Sequence, residues 1–593
     1  MEQINDILSE FLSYLSNFVW GGGGVTGLLI SIVPILLLTG LWLTLRTMFI
    51  QLRGFKHGVG IASGKYDDPE HKGQLTHFQA LSAALSATIG IGNIAGVAIA
   101  IYHGGPGAIF WMWVSAFFGM AIKYSECMLA IKYRKVEKDG NIRGGPMYFL
   151  DLGFKGHWRW YFLPLAYLFA FCTAIAAFGS GNMAQSNTLA HSLVEGFEVG
   201  ESKTTVESLE SPYVRSLIAD FNVAANDVRA DLTDSLAREN LASAQTELLA
   251  VKMLGVAGAN GSMTYYIEDD IPWNVDDDGR RFVLRVGIDP LDVNAISVVD
   301  EAPVGTWRWI IGILLATLVG VVIIGGIKRI GRVASVLVPF MSVVYVLSAM
   351  LVLVLKYDQI IPALQLIFHH AFHPTAVVGG SAAGVTIWLT ISWGLRRGLF
   401  SNEAGQGSAA MAHSTAKVDE PVREGLVAML GPFIDTIVIC TMTALVILTS
   451  GLWASGETSV ALTMSAFNAI LPIYGKWMVV VGVLLFAFST VLAWSYYGEK
   501  GIEYLLGRRA KLPYKWLFIV FTLLGARLDL EAVWAYADTA NGMMALPNLV
   551  ALIGLSGVVV GLTKKYMDEK KRDLHLPYEE MLRRKKAGLP PGQ

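Results

Sequence analysis

Apolar residues in this chain come in long runs that no charge interrupts. A helix rises about 1.5 Å per residue, so about 20 such residues cross a hydrocarbon layer of roughly 30 Å. Runs of this kind fill 25–45, 78–102, 106–122, 161–193, 309–327, 333–355, 360–395, 477–498 and 539–563. The stretch 425–455 carries one acid, Asp435, and 515–536 is interrupted by Arg527, Asp529 and Glu531. Counting both, the pattern predicts an all-α integral membrane protein with eleven transmembrane helices.

Lysine and arginine in the short loops set the orientation. They cluster after the first run (Arg46, Arg53, Lys56, Lys65, Lys72), the third (Arg134, Lys135, Lys138, Arg143), the fifth (Lys328, Arg329, Arg332) and the ninth (Arg508, Arg509, Lys511), and again in the tail. The alternation predicts an N-terminus outside, a cytoplasmic C-terminus and a multi-pass protein of the bacterial inner membrane. The residues before Val25 are acidic and lack a basic n-region, so no cleavable signal peptide is expected. The segment 191–306 breaks the pattern, with 21 Asp and Glu against 8 Lys and Arg, a net charge of −13. It reads as an extracytoplasmic mixed α/β insert, helical over 208–251 and made of strands and turns over 263–299, and offers a surface for a partner. Its Asn274, Asp276, Asp278 and Gly279 look like the start of a calcium loop. The twelfth position is Arg285 rather than Glu, and a solvated turn is the better reading. The expected divisions are 1–77, 78–190, the insert 191–306, 307–356, 357–563 and a basic tail 564–593.

Two apolar stretches do not read as continuous helices. In Thr88-Ile89-Gly90-Ile91-Gly92-Asn93-Ile94-Ala95-Gly96, three glycines in seven residues weaken the helix at mid-depth of the second run. Close packing through small residues would account for Gly92 and Gly96 alone, but Thr88 and Asn93 point to a binding site. The second stretch is Ser392-Trp393-Gly394-Leu395-Arg396-Arg397-Gly398, followed by 401–408. Setting the first helix aside, 78–355 holds five spans and 360–563 holds five more. An odd number per half inverts the second half, so a 5+5 inverted repeat with broken first helices is expected, a pattern that points to a secondary transporter site. The N-terminus of a half-helix offers bare N–H groups to a carboxylate, and unwound carbonyls suit a small hard cation. A zwitterionic amino acid with Na+ matches both.

Four motifs, TIGIGNIAGVAIAIYHGGPG at 88–107, GGPMYFL at 144–150, GGIKRIGRV at 325–333 and GLFSNEAGQGS at 398–408, resemble the alanine/glycine:cation symporter family, the sodium:alanine symporters. The resemblance covers nearly the whole chain except the insert. It implies the ten-helix inverted-repeat fold of the leucine transporter with one extra N-terminal helix, and sodium-coupled uptake of alanine or glycine by alternating access. It further implies that Gly90, Ile91, Gly92 and Asn93 form the substrate-carboxylate turn, with N–H groups of Ile91 and Gly92 as donors. Carbonyls of Ser86 and Ile89 and hydroxyls of Ser489 and Thr490 would surround the sodium ion, with Thr88 and Asp435 as further candidates. Local bonding to a preceding carbonyl is the alternative for Ser489 and Thr490. Thr490 and Trp494 would line the pocket, Trp393 would lie at the second break, and Gln185 and Asn187 would contact substrate or bridge helices.

Composition agrees with a membrane protein. The 593 residues are 53% hydrophobic and 16% charged, with a mean hydropathy of +0.49, whereas an ordinary soluble domain carries about 25% charged residues. Cys127, Cys172 and Cys440 have neither disulfide nor metal-ligand spacing. His369, His370 and His373 lack the spacing of a closed metal site. We find no catalytic pair, no phosphate-cradling loop and no basic patch for nucleic acid, so neither an enzyme nor an organic cofactor is expected. Intramembrane charges are costly and usually functional or paired. Glu126 either pairs with Lys123 or anchors unwound backbone. Asp435 pairs with Arg396 or Arg397, or is a cation ligand, or carries the proton of a proton-coupled symporter.

Overall fold

The computed structural model describes residues 31–197, 302–373, 386–528 and 530–571. It also describes the backbone of five strands between 204 and 300 and isolated positions near both termini. Chain contacts divide it into Met1–Ser192, Ile311–Ala454 and Thr458–Gln593 as one unit, and Leu193–Ile310 with Ser455–Glu457 as another.

The larger unit is helical. Helix α1 spans Ile32–Arg46 and starts on a Ser31 cap that accepts from Val33 N. Helix α2, His77–Thr88, starts on a capping box between Thr76 and Gln79. Helices α3 (Ala95–Gly104) and α4 (Ala108–Lys132) follow. Most of the apolar window of α4 is buried within the chain (83%), which makes α4 a central helix. Beyond α5 (Pro146–Leu152), α6 (Trp158–Phe178) passes through a π-helical turn, Gly179–Met183, into α7 (Ala184–Gly196). Helices α8 (Ala302–Ile323) and α9 (Gly326–Leu355) precede α10 (Tyr357–Phe372). The second half contains α11 (Ile387–Asn402), α12 (Ser408–His413) and α13 (Pro421–Ala428), then a π-helical stretch Phe433–Cys440 and α14 (Thr441–Ser450). It ends with α15 (Ser459–Ile470), α16 (Tyr474–Leu506), α17 (Lys511–Gly525), α18 (Leu530–Gly554) and α19 (Ser556–Lys571).

Among the described residues, five helices are long and apolar enough to cross a bilayer, or six if the pair bent by 59° between Gly554 and Ser556 is one span. Several apolar runs divide differently from the sequence reading. The run 360–395 separates into α10 and α11. The run 515–536 straddles the end of α17 and the start of α18, because Arg527 falls in the turn after Gly525. The run 539–563 bends at Leu555, where Gly554 lets Phe154 pack against the backbone.

The smaller unit contains an antiparallel sheet. A two-stranded hairpin in the larger unit supplies β1 (Lys135–Val136) and β2 (Ile142–Arg143). Then β3 (Thr204–Thr205), β4 (Met253–Ala257), β5 (Met263–Ile267), β6 (Phe282–Ile288) and β7 (Ser297–Asp300) order as β3-β7-β6-β5-β4. Val283 pairs with Val299, and Tyr265 with Val286. Strands β5, β6 and β7 lie within or at the edge of the 263–299 stretch expected to form strands, whereas β3 and β4 fall before it. The helical expectation over 208–251 and the acidic turn at Asn274, Asp276, Asp278 and Gly279 lie outside the described residues.

Candidate ligand site between two broken helices

The first break lies at the glycine-rich tract. Helix α2 stops at Thr88, Gly90 is extended, Ile91–Asn93 forms a single 3-10 turn, and α3 restarts at Ala95. Backbone groups released by the break need partners, since no water reaches them in a hydrocarbon layer. Side chains provide them. Asn93 Oδ1 accepts from Gly90 N at 2.9 Å, and Gln185 Oε1 accepts from Ile91 N at 3.2 Å. Thr443 and Thr463 hydroxyls donate to the carbonyls of Asn93 and Ile94 at 2.8 and 3.2 Å. Gly90 must be glycine here, because a Cβ would sit 2.5 Å from Thr490 Oγ1.

The second break lies at Glu403–Gly407, within the 401–408 part of the stretch singled out in the sequence and not at 392–398. Helix α11 runs unbroken through Trp393, Gly394 and Gly398 to Asn402. Glu403 then turns left-handed with φ 53°, Gly405 and Gly407 follow at 97° and 76°, and α12 begins at Ser408. Two buried carboxylates hold this unwound backbone. Glu126 Oε1 accepts from Gly405 N at 2.9 Å and from Asn548 Nδ2 at 2.6 Å. Glu403 accepts from Trp494 Nε1 at 2.8 Å and from the Ser408 hydroxyl. Glu126 therefore anchors backbone rather than pairing with Lys123.

Asp435 joins the two breaks. Its Oδ1 accepts from Asn93 Nδ2 at 2.6 Å, and its Oδ2 accepts from the Ser401 and Thr436 hydroxyls at 2.7 and 2.8 Å. It lies in the π-helical stretch, a local widening that often marks functional sites. The expected pairing of Asp435 with Arg396 or Arg397 does not form. Both guanidiniums instead bond Asp538 on α18, because they lie on the earlier turns of α11, away from its Ser401 end.

The remaining candidates distribute unevenly. Where α2 ends against α16, Ser86 Oγ donates to Ser489 O at 2.6 Å and Thr490 Oγ1 approaches Ile89 O at 3.4 Å. These are two contacts between α2 and α16, and the first joins the Ser86 hydroxyl to the Ser489 carbonyl rather than the Ser86 carbonyl to the Ser489 hydroxyl. Ser489 Oγ gives its proton to Phe486 O at 2.9 Å and keeps its oxygen as an acceptor. Thr88 Oγ1 turns back to Leu85 O at 3.3 Å. Trp494 lies one turn beyond Thr490, against Glu403. Gln185 holds the turn at Ile91 and donates to Ser180 O at 3.0 Å. Asn187 bridges to the carbonyls of Gly525 and Leu528.

Trp393 does not lie at the break but nearly three helical turns before Glu403. There it stacks on His103 with centroids 4.2 Å apart, and the Arg396 guanidinium lies over its ring at 4.7 Å. His369 and His373 stack on each other. Among the described residues, no group of three or more His, Cys, Asp or Glu is placed to hold a metal ion. Sequence reasoning missed Glu403 and Asp538 as site-organising groups. The first stood inside a quoted motif, and the second has partners more than a hundred residues away.

Comparisons with known proteins show which family the chain resembles. A sodium/alanine symporter of Methanococcus maripaludis is 38% identical over 95% of this chain and 98% of its own length. A putative sodium/proton-dependent alanine carrier protein of Bacillus subtilis is 29% identical over 96% of this chain and 94% of its own. The crystal structure of MhsT in complex with L-phenylalanine matches with a TM-score of 0.45 at 11% identity, covering 83% of this chain and 98% of that one. The model of the sodium:alanine symporter family matches residues 5–209 and 282–580. The chain is therefore a multi-pass membrane transporter and belongs to the sodium:alanine symporter family.

Proposed function

We propose that this protein takes up small neutral amino acids, alanine or glycine, together with Na+ by alternating access. The observation that carries this reading is the meeting of two helix breaks across Asn93, Asp435 and Ser401. The turn Gly90-Ile91-Gly92 offers backbone N–H groups to the substrate carboxylate, with Gln185 at Ile91 exchanging for it. Thr490 and Trp494 bound the substrate position on α16, and the Trp494 ring there limits the size of the side chain. Na+ enters the oxygen set of Ser86, Ile89, Ser489 and Thr490. Each partner then stabilises the geometry the other requires, because Ile89 and Gly90 adjoin both positions.

Three donors point at Asp435, an arrangement that serves an ionised carboxylate. This favours Na+ over a proton carried by Asp435 as the driving ion. One charge moving inward through about 100 mV contributes about 2.3 kcal/mol, a concentration ratio of order tens, before the sodium gradient adds its share. In the membrane we place eleven spans, an outside N-terminus, a cytoplasmic C-terminus and the acidic insert outside. The deciding experiment is uptake of labelled alanine and glycine into proteoliposomes under an imposed Na+, H+ or Li+ gradient. Uptake driven by Na+ alone is expected. Uptake driven by H+ alone would transfer coupling to Asp435.

A further inference from the structure

A second buried polar cluster lies apart from the site above, where the ends of both broken helices remote from the breaks meet α13. His77 opens α2, just before the apolar run that begins at 78. His413 closes α12. Glu424 lies on α13. All three are buried, at 1%, 1% and 0% exposure. The Glu424 carboxylate receives His77 Nδ1 on Oε2 and His413 Nδ1 on Oε1.

The surrounding backbone is stitched at the same level. Gln74 N donates to Thr415 O, and Lys417 N donates to Leu75 O, both at 2.7 Å. Arg134 reaches the carbonyls of Lys72, Ser414, Ala416 and Val418. This closure ties the start of one broken helix to the end of the other.

The hydrogen-bond inventory of the cluster asks for one more proton. Both rings use Nδ1–H toward Glu424. In a neutral His77 the other nitrogen, Nε2, would be a bare lone pair. It faces Asp67 Oδ1 at 4.0 Å, and that buried oxygen has no hydrogen-bond donor among the described residues. Two acceptors face each other across an ion-pair distance, and a proton on Nε2 resolves the conflict by making His77 an imidazolium between two carboxylates. The other charges around the cluster are Lys417 and Asp419 in the loop after α12, Arg423 on α13, Arg134 after α4, and His71 and Asp68 in the loop before α2. The last two pair with each other rather than with His77.

We propose that His77, with Glu424, His413 and Asp67, forms a proton-binding site separate from the amino-acid and cation site, whose proton holds the start of α2 closed against α13. Opening this end withdraws His77 from both carboxylates, so its affinity for the proton falls to that of an ordinary histidine, about 6.5 on the pKa scale. Closure is then tightest below that value. It weakens as pH rises through the higher value that His77 holds in the closed form. The consequence for turnover rests on the alternating-access reading above, but the proton site itself does not.

The test has two arms on the full-length protein. Ring-nitrogen NMR of the detergent-solubilised protein, with the His77 signal assigned by its loss in His77→Gln, reads the proton without any transport. Titration well above about 6.5 is expected, and titration at or below it overturns the proposal. In proteoliposomes with equal pH on both faces and saturating Na+ and alanine, the maximal rate is expected to rise with pH. His77→Gln should flatten that rise and leave the half-saturating Na+ concentration unchanged. Asp67→Asn, a change at a partly exposed carboxylate, should move the inflection down by about one unit. An unaltered profile in Asp67→Asn, or in a folded His77→Gln, overturns the proposal. Absence of uptake by the unmodified protein at every pH refutes the transport reading instead, and the NMR arm still decides the proton site.

Discussion

At the scale of single residues, the first break tolerates almost no added atoms. A Cβ on Gly90 would press on Thr490 Oγ1 at 2.5 Å, and one on Gly92 would lie 3.1 Å from Phe400 Cδ1 and 3.3 Å from Ser401 Cα. Gly90→Ala displaces the hydroxyl assigned to the cation. It is expected to raise the half-saturating Na+ concentration in uptake assays by about tenfold, equivalent to about 1.4 kcal/mol. Thr490→Ala removes that hydroxyl outright and should raise the same quantity, whereas Thr490→Ser should restore it. Unchanged sodium dependence in Thr490→Ala would take Thr490 out of the cation site. Trp494→Phe keeps a ring against Gly181 but deprives Glu403 of a donor at a buried position, which costs on the order of 1–3 kcal/mol. Its melting midpoint should fall accordingly, and a full-stability Trp494→Phe would show that Glu403 does not depend on that bond.

At the scale of elements, the two breaks differ in how far the sequence announced them. Around Gly90 and Gly92, glycines next to Asn93 mark a true opening, and the structure breaks there. Around Gly394 and Gly398, glycines serve packing instead. A Cβ on Gly394 would meet Ala108 O at 2.4 Å, and one on Gly398 would meet Ser115 Oγ at 2.9 Å, so these residues let α11 lie close on α4. Composition alone does not separate a glycine that opens a helix from one that admits a neighbour. The left-handed φ of Glu403, Gly405 and Gly407 does so, and it exists only once Glu126, Trp494 and Asn548 surround the turn. Pairing of Arg396 and Arg397 with Asp538 was illegible for a related reason: partner choice among buried charges is set by tertiary packing. Removing one member of such a group leaves uncompensated buried charge, at a cost of about 3–5 kcal/mol. Asp538→Ala should therefore lower the thermal midpoint of the purified protein strongly. A midpoint within a degree or two of the unmodified protein would show that both guanidiniums find solvent or another partner.

At the scale of the whole molecule, the apolar runs located most helices, but their ends moved wherever a charge or glycine fell in a turn, as at Gly525 and Gly554. The acidic segment folds in part as an antiparallel sheet and forms a contact unit of its own. None of the residues assigned to the amino acid or the cation comes from it. Replacing 198–301 by a short flexible linker should therefore leave sodium-driven uptake measurable. Complete loss in a well-folded deletion would place the segment within the transport cycle. In the proposed cycle, two interrupted helices grip an amino acid and a cation as one unit. Linkage requires the effect to be reciprocal: if Na+ tightens alanine by some factor, alanine must tighten Na+ by the same factor. Equilibrium binding of labelled alanine to the purified protein, titrated against Na+ and then reversed, measures both factors. Saturable alanine binding is expected that strengthens at least tenfold with Na+, with matching factors in the two directions and loss of the coupling in Thr490→Ala. Alanine binding of equal strength with and without Na+ would contradict it.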